Sequence, residues 1–240
     1  MLFHANDHLQ STLNTLMQSG SSSNPALNKL LDDYTNYHRV VVVVGGLFLM
    51  ASVGLSVIFW KRFKGMRKTG GRWAFERKTY FCFGVLSVVV GVLLAVTLAA
   101  NLSNALRSRS GFSGTIGMLG VHRVGSQRGN LHEAFSTWLE SGQAELPFLV
   151  KRHIRDRLAW QRPKAGICTV LLILFAVVSA RVLRTLVRNS RRPSAMWKPK
   201  EVMLNITGFA SIVGCLLLVL MVLGNTAASV APLTLTLVFG

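Results

Sequence analysis

Acidic residues are scarce in this sequence: its 240 residues include 9 Asp and Glu against 27 Lys and Arg, which gives a formal net charge of +18. Charged residues of both signs make up only 15% of the chain, whereas apolar residues make up 50%. This composition departs from that of soluble domains towards that of membrane proteins. The low charge content therefore argues against an ordinary soluble globular protein.

Cysteine and motifs for chemistry are scarce as well. The three cysteines all lie in apolar stretches, where a disulfide framework of the secreted kind is not expected: Cys82, Cys168 and Cys215. The chain has no Walker-type glycine loop, no Cys-x-x-Cys and no Gly-x-Ser-x-Gly, and its histidines match no known ligand spacing. No catalytic residue, metal site or cofactor is therefore predicted.

What the sequence has instead is four apolar stretches without a charged residue, at residues 40–60, 79–100, 165–180 and 202–223. Three of them exceed 20 residues, and a helix of about 20 residues crosses a hydrocarbon core of about 30 Å. The third is shorter, but Arg181 and Arg184 can extend their side chains to the headgroups. The sequence therefore predicts an all-α integral membrane protein with four transmembrane helices, arranged as two hairpins and flanked by amphipathic extracytoplasmic helices.

These stretches divide the chain into five segments. The long loop between the second and third spans is the only segment with the length to form a domain. We expect an amphipathic N-terminal segment (1–38), a first transmembrane hairpin (39–100), a long extracytoplasmic loop with amphipathic helices (101–164), a second transmembrane hairpin (165–224) and a C-terminal tail (225–240).

Two short amphipathic helices are predicted in the N-terminal segment. In the first, Leu9 and Leu13 lie at helical spacing. Asn24 followed by Pro25 is typical of a helix start with Asn24 as the N-cap, and the apolar stripe beyond it leads directly into the first span. These helices either lie on the bilayer surface or on a partner, or pack on the protein's own long loop.

The long loop and the tail give weaker signals. Residues 101–130 are rich in Ser and Gly and lack periodicity, so we expect irregular structure there. Beyond them, Phe135 and Trp138 belong to one apolar stripe, and Pro147 separates that helix from a basic amphipathic helix of the kind that lies at a membrane interface. After Pro232, leucine alternates with threonine, which predicts an extended segment that is stable only against a partner or the long loop.

The basic residues are concentrated in the two short links between spans. Eight of the 27 lie in residues 61–78 and seven in residues 181–200, which is the positive-inside pattern. We therefore expect both links to face the cytoplasm, with the long loop and both termini extracytoplasmic at the plasma membrane, and no nucleic-acid partner. Near an anionic leaflet each basic side chain gains about 1 kcal/mol. The candidates for contact with anionic headgroups are Lys61, Arg62, Lys64, Arg67, Lys68, Arg72, Arg188, Arg191 and Arg192.

Small residues recur at every fourth position of the second span and form one face: Ser87, Gly91, Ala95 and Ala99. Such a face lets another helix approach closely, which is how helices associate inside a membrane. A weaker face of the same kind on the first span consists of Gly46 and Gly54. Either the four helices of this chain pack through these faces, or another subunit docks on them.

Polar groups at membrane depth are few, and the main ones lie in the first turns of the fourth span: Asn205, Thr207 and Ser211. Apolar spans, a small-residue face and amphipathic flanks favour a non-catalytic tetraspan subunit that packs in a larger membrane assembly as an accessory or scaffold. Its expected partners are membrane lipids and other integral membrane subunits, or further copies of itself. One alternative is a transporter or channel subunit whose conduit forms on oligomerisation. Another is a membrane enzyme acting on lipid or envelope precursors, which would need acids of the long loop: Glu133, Glu140 and Asp156.

Overall fold

The computed structural model of the protein describes residues 4–19, 23–65, 75–120, 125–190 and 199–240. All regular secondary structure in these residues is helical, and no strand occurs among them, which confirms the predicted all-α class. In chain order they are α1 (His4–Gln18), α2 (Pro25–Gly65), α3 (Phe75–Leu106), α4 (Ser108–Ile116), α5 (Gln127–Ser141), α6 (Phe148–Ser190), α7 (Pro199–Val230) and α8 (Pro232–Phe239).

Four of these helices, α2, α3, α6 and α7, are long and apolar enough to cross a membrane. Their most apolar stretches have a mean hydropathy between 2.4 and 2.7, so the prediction of four helices of spanning length is confirmed. The second of the two predicted N-terminal helices is continuous with the first spanning helix, because α2 runs unbroken for 41 residues. The basic segment after Pro147 is likewise not a separate helix, since α6 runs for 43 residues and includes Pro163.

The chain packs into two compact units, each built from separate segments. The first unit comprises residues 1–42, 99–164 and 224–240, which are the N-terminal segment, the long loop and the tail. The second unit comprises residues 43–98 and 165–223, which hold the charge-free stretches. Each unit thus combines segments that are far apart in the sequence.

The first unit encloses a core of leucine and aromatic side chains. Its fully buried members come from α1, α2, α4, α5, α6 and α8: Leu9, Leu13, Leu27, Leu30, Phe112, Leu131, Phe135, Leu139, Val150 and Leu237. Gln10 of α1 adds polar contacts, because its side-chain amide donates to the carbonyls of Ile116 (3.3 Å) and Leu119 (3.0 Å). The N-terminal helices thus pack on the protein's own long loop, which is one of the predicted arrangements.

Helix α2 begins where the sequence predicts. The amide of Leu27 donates to Asn24 Oδ1 at 3.0 Å, as expected for an N-cap, and Pro25 takes the first helical position. Asn24 Nδ2 in turn donates to the carbonyl of Leu139 at 2.8 Å. Close to that carbonyl, α5 ends at its C-cap Gly142, whose φ of 63° lies in the left-handed region that favours glycine. Asn24 therefore joins the start of α2 to the end of α5.

The irregular structure predicted for residues 101–130 is wrong for much of this range, because α3 extends into it, α4 forms within it and α5 begins before its end. Phe112 and Ile116 are one helical turn apart on α4, and both are buried in the core of the first unit. Gly111 allows this packing, since a Cβ there would lie 2.7 Å from the hydroxyl oxygen of Tyr34. Burial of this face outweighs the low helix propensity of the Ser and Gly residues.

The extended tail predicted after Pro232 is also wrong. Helix α7 continues beyond the apolar stretch, and α8 follows with Pro232 at its start. Leu233 and Leu237 are one helical turn apart, and both are buried in the core of the first unit together with side chains of the long loop. The amide of Thr234 donates to Asp33 Oδ2 at 2.7 Å and so satisfies an N–H group that a helix start leaves without an intrahelical partner.

Candidate functional site

In the second unit, part of the predicted small-residue face on α3 packs against α2. Ser52 Oγ donates to the carbonyl oxygen of Ser87 at 2.9 Å. A Cβ placed on Gly91 would lie 3.6 Å from Ser52 Oγ, which is ordinary contact, so α2 passes close to this face. Further along α3, Ala95 and Ala99 are exposed. The face therefore divides into a part used for packing within the chain and a part left open.

The two glycines predicted to form a face on α2 lie in open space. Apart from the backbone of α2 itself and the adjacent residues, no heavy atom of the described residues lies within 4 Å of a Cβ placed on Gly46 or Gly54. The close approach is at the neighbouring Gly45, where a Cβ would lie 2.6 Å from Leu98 Cδ2 of α3. The surface at Gly46 and Gly54 is thus available to a helix from outside the chain, whereas the surface at Gly45 is covered by Leu98.

Two further close approaches were not singled out by the sequence pattern. A Cβ on Gly214 of α7 would lie 2.8 Å from the ring of Phe175 on α6, and a Cβ on Gly84 of α3 would lie 3.4 Å from the indole of Trp60 on α2. Spacing along one helix shows which small residues share a face, but it does not show which side chain of another helix lies over them. These two contacts therefore become visible only once the packing of the helices is known.

The polar residues predicted at membrane depth do not share one environment. Ser211 is buried and Thr207 is exposed, while the side chain of Asn205 lies outside the described residues. On the third and fourth spans, Ser179 Oγ and Cys215 Sγ lie 3.9 Å apart, within hydrogen-bonding distance for sulfur. Ser52 and Ser179 thus contact a neighbouring helix, which is a structural use of polar groups in a membrane.

Four of the predicted headgroup residues lie in described helices, at the end of α2 and near the end of α6. All four are exposed: Lys61, Arg62, Lys64 and Arg188. The other five fall outside the described residues: Arg67, Lys68, Arg72, Arg191 and Arg192. The described part of the basic surface thus presents its charges to the solvent or to lipid.

Within the second unit, three arginines line one groove of about 540 Å³: Arg62 of α2 with Arg184 and Arg188 of α6. The remainder of the lining is Tyr80 of α3 and three apolar side chains: Ile58, Phe59 and Leu183. Among the described residues that line the groove, none is a carboxylate. The sequence indicated Arg62 and Arg188 separately, but their convergence with Arg184 and Tyr80 depends on the packing of three helices.

Aromatic side chains hold α2 and α3 together near this groove. The Trp60 ring lies edge-on to Phe63 at 5.5 Å between centroids and to Phe81 at 5.9 Å. The guanidinium carbon of Arg77 lies 4.8 Å from the centre of the Phe63 ring, within cation–π range. Aromatic and basic side chains together are typical of the level of lipid headgroups.

Among the candidate acids of the long loop, Glu140 contacts a neighbouring helix. Glu140 Oε1 of α5 accepts a hydrogen bond from Thr12 Oγ1 at 3.0 Å and lies 3.4 Å from His8 Nε2, so it joins α5 to α1. Glu133 and Asp156 are exposed. Within the described part of the chain, no three His, Cys, Asp or Glu side chains are grouped as metal ligands would be.

Two other titratable side chains of the long loop have structural contacts. His132 is buried and its Nε2 donates to the carbonyl of Leu237 at 3.1 Å, which places the proton of a neutral ring on Nε2 and joins α5 to α8. Glu145 is exposed and accepts a hydrogen bond from Lys151 Nζ at 2.6 Å, which lowers the pKa of the Glu145 carboxyl. Both contacts lie within the first unit.

Comparisons of the chain with protein-family profiles, with curated proteins and with solved structures found no match. Its function must therefore be inferred from its own residues. Those residues present open helix faces and a basic groove in the second unit, and a folded helical body in the first.

Proposed function

We propose that the protein is a non-catalytic subunit of a larger membrane assembly, in which its four apolar helices pack against helices of other subunits or of further copies of itself. The observation that carries this proposal is that this chain leaves part of its small-residue faces open: Gly46, Gly54, Ala95 and Ala99. Close approach at small residues is a general mode of helix association in bilayers. The spanning helices also leave most of their surface uncovered, since 6% to 24% of each apolar stretch is buried within the chain.

The proposed topology places both termini and the long loop on the extracytoplasmic side of the plasma membrane. It is supported by the first unit, in which α1 packs on α5 and α8 packs on α5 although these helices come from three separate segments. Four crossings arranged as two hairpins bring these segments, with their amphipathic helices, to one side. The basic links then lie on the other side, where positive charge is retained.

The described contacts weigh against the two alternatives. A conduit needs polar groups that converge on a shared path, whereas Ser52 donates to a backbone carbonyl of α3, and Ser87 Oγ donates to the carbonyl of Gly84 at 2.9 Å. An enzyme of lipid or envelope precursors needs an acid or base beside a reactive group. Glu140, the best placed of the three candidate acids, joins two helices instead.

The direct test is isolation of the tagged protein from its own host in mild detergent or native nanodiscs, followed by mass spectrometry of the intact particle. We expect other membrane subunits, or further copies of the chain, at a fixed ratio. A stable monomer without associated protein would contradict the proposal. A homo-oligomer that conducts ions or solutes in a reconstituted bilayer would favour the channel or transporter alternative.

A variant of the open glycine face on α2, which consists of Gly46 and Gly54, makes this test more specific. The double change Gly46→Leu and Gly54→Leu fills space that the chain itself leaves empty, so we expect normal folding but loss of most of the associated protein. The matched control is Gly166→Leu, which makes the same change at an open position outside both small-residue faces. Unchanged recovery of partners with the double variant would show that this face does not mediate assembly.

A further inference from the structure

We propose that the groove between α2, α3 and α6 is a saturable site for one anionic phospholipid, with the phosphate held by arginines and an acyl chain on the apolar wall. The phosphate ligands are Arg62, Arg184 and Arg188, and Tyr80 lies beside them as a further hydrogen-bond donor. This goes beyond a general attraction of basic links to the leaflet, because it assigns one lipid to one groove. It does not depend on whether the chain has protein partners.

The charges of the groove favour an anion. Arg184 and Arg188 are four residues apart on α6 and so lie on the same face, an arrangement that is destabilising for like charges. Arg62 of α2 adds a third positive charge to the same groove, and none of the described residues that line it is a carboxylate. None of the three forms an ion pair with a carboxylate among the described side chains. The planar guanidinium group matches phosphate oxygens with two parallel hydrogen bonds.

The apolar wall favours a lipid over free phosphate. Ile58 and Phe59 lie one turn or less before Arg62 on α2, on the side of the charge-free stretch, and Leu183 precedes Arg184 on α6. An acyl chain covers such side chains, which a free phosphate ion leaves in contact with water. The groove also lies where the charge-free stretches of α2 and α6 give way to basic residues, at the expected level of the headgroups.

The test uses the full-length protein in nanodiscs of phosphatidylcholine that contain a minor fraction of phosphatidylglycerol. Native mass spectrometry should show one phosphatidylglycerol retained per chain in preference to phosphatidylcholine, with saturation as its fraction increases. The groove variant is Arg62→Gln, Arg184→Gln and Arg188→Gln together. The control is Lys61→Gln, Lys64→Gln and Arg181→Gln, which removes the same number of charges from exposed positions of the same two helices outside the groove lining.

We expect the groove variant to lose retention about tenfold more than the control does, since it alone removes the guanidinium groups that hold the phosphate by charge-assisted hydrogen bonds. Equal loss in both variants would reduce the effect to general surface charge and would overturn the proposal. Absence of saturable retention by the unaltered protein would overturn it as well, even if the groove variant does not fold.

A competition experiment separates lipid from free phosphate. Short-chain phosphatidylglycerol should displace the retained lipid, whereas inorganic phosphate at the same concentration should not. Displacement by inorganic phosphate to the same extent would show an anion site without a lipid-specific wall, and would overturn the assignment of a phospholipid.

Discussion

At the scale of single residues, Asn24 and Asp33 of the first unit join helices that are far apart in the sequence. Asn24 caps α2 by accepting a hydrogen bond from the amide three residues later. It also donates to the carbonyl of Leu139, which is 115 residues away. Asp33 is a stronger example, since its partner Thr234 is 201 residues away. Such residues acquire their role from the fold of the first unit.

Replacement of Asp33 tests that role. Asp33→Ala removes the acceptor for the Thr234 amide at the start of α8, so we expect a loss of about 1 to 2 kcal/mol in stability and faster amide hydrogen exchange in residues 232–240. The control is Asp32→Ala, because Asp32 is the preceding residue on α2 and is exposed. Equal exchange in the two variants would show that the carboxylate of Asp33 does not hold α8 in place.

At the scale of whole helices, the apolar stretches could be predicted because the absence of charge over about 20 residues is sufficient to indicate a span. The short helices α4 and α8 could not, since their helical state depends on tertiary burial of two apolar residues each. For α8, Pro232 was a usable signal: proline is favoured at the first position of a helix, as Pro25 is in α2. The alternation that follows Pro232 does not distinguish the two structures, because Leu233 and Leu237 share a face in a helix as well as in a strand.

Two adjacent glycines test the packing of α2 on α3. Gly45→Leu adds a side chain where even a Cβ would lie 2.6 Å from Leu98 Cδ2, so we expect a loss of about 1 to 3 kcal/mol and a lower melting temperature in detergent. Gly46→Leu makes the same chemical change in open space and should leave the melting temperature of the isolated chain nearly unchanged. Equal destabilisation by both changes would contradict the close approach at Gly45.

At the scale of the whole molecule, each of the two units depends on contacts between helices that are far apart in the sequence. The sequence indicates a basic link and an aromatic-rich boundary, but the groove needs Arg62 of α2 and Arg184 of α6 to lie together, 122 positions apart in the numbering. The first unit likewise combines segments from both ends of the chain and its middle. Composition therefore predicts the class of the protein, while its candidate sites arise from contacts between helices far apart in sequence.

The topology gives a prediction at the same scale, because the first unit can form only if its three segments lie on one side of the membrane. Single cysteines at exposed positions, Asn14→Cys and Gln143→Cys in the first unit and Lys64→Cys in the second, are introduced into a chain whose native cysteines are replaced by alanine. A membrane-impermeant maleimide should label positions 14 and 143 on intact cells, and position 64 only after permeabilisation. The reverse pattern would keep the fold but invert its orientation against the positive-inside rule. Labelling of positions 14 and 143 from opposite sides would contradict both the arrangement of two hairpins and the packing of α1 on α5.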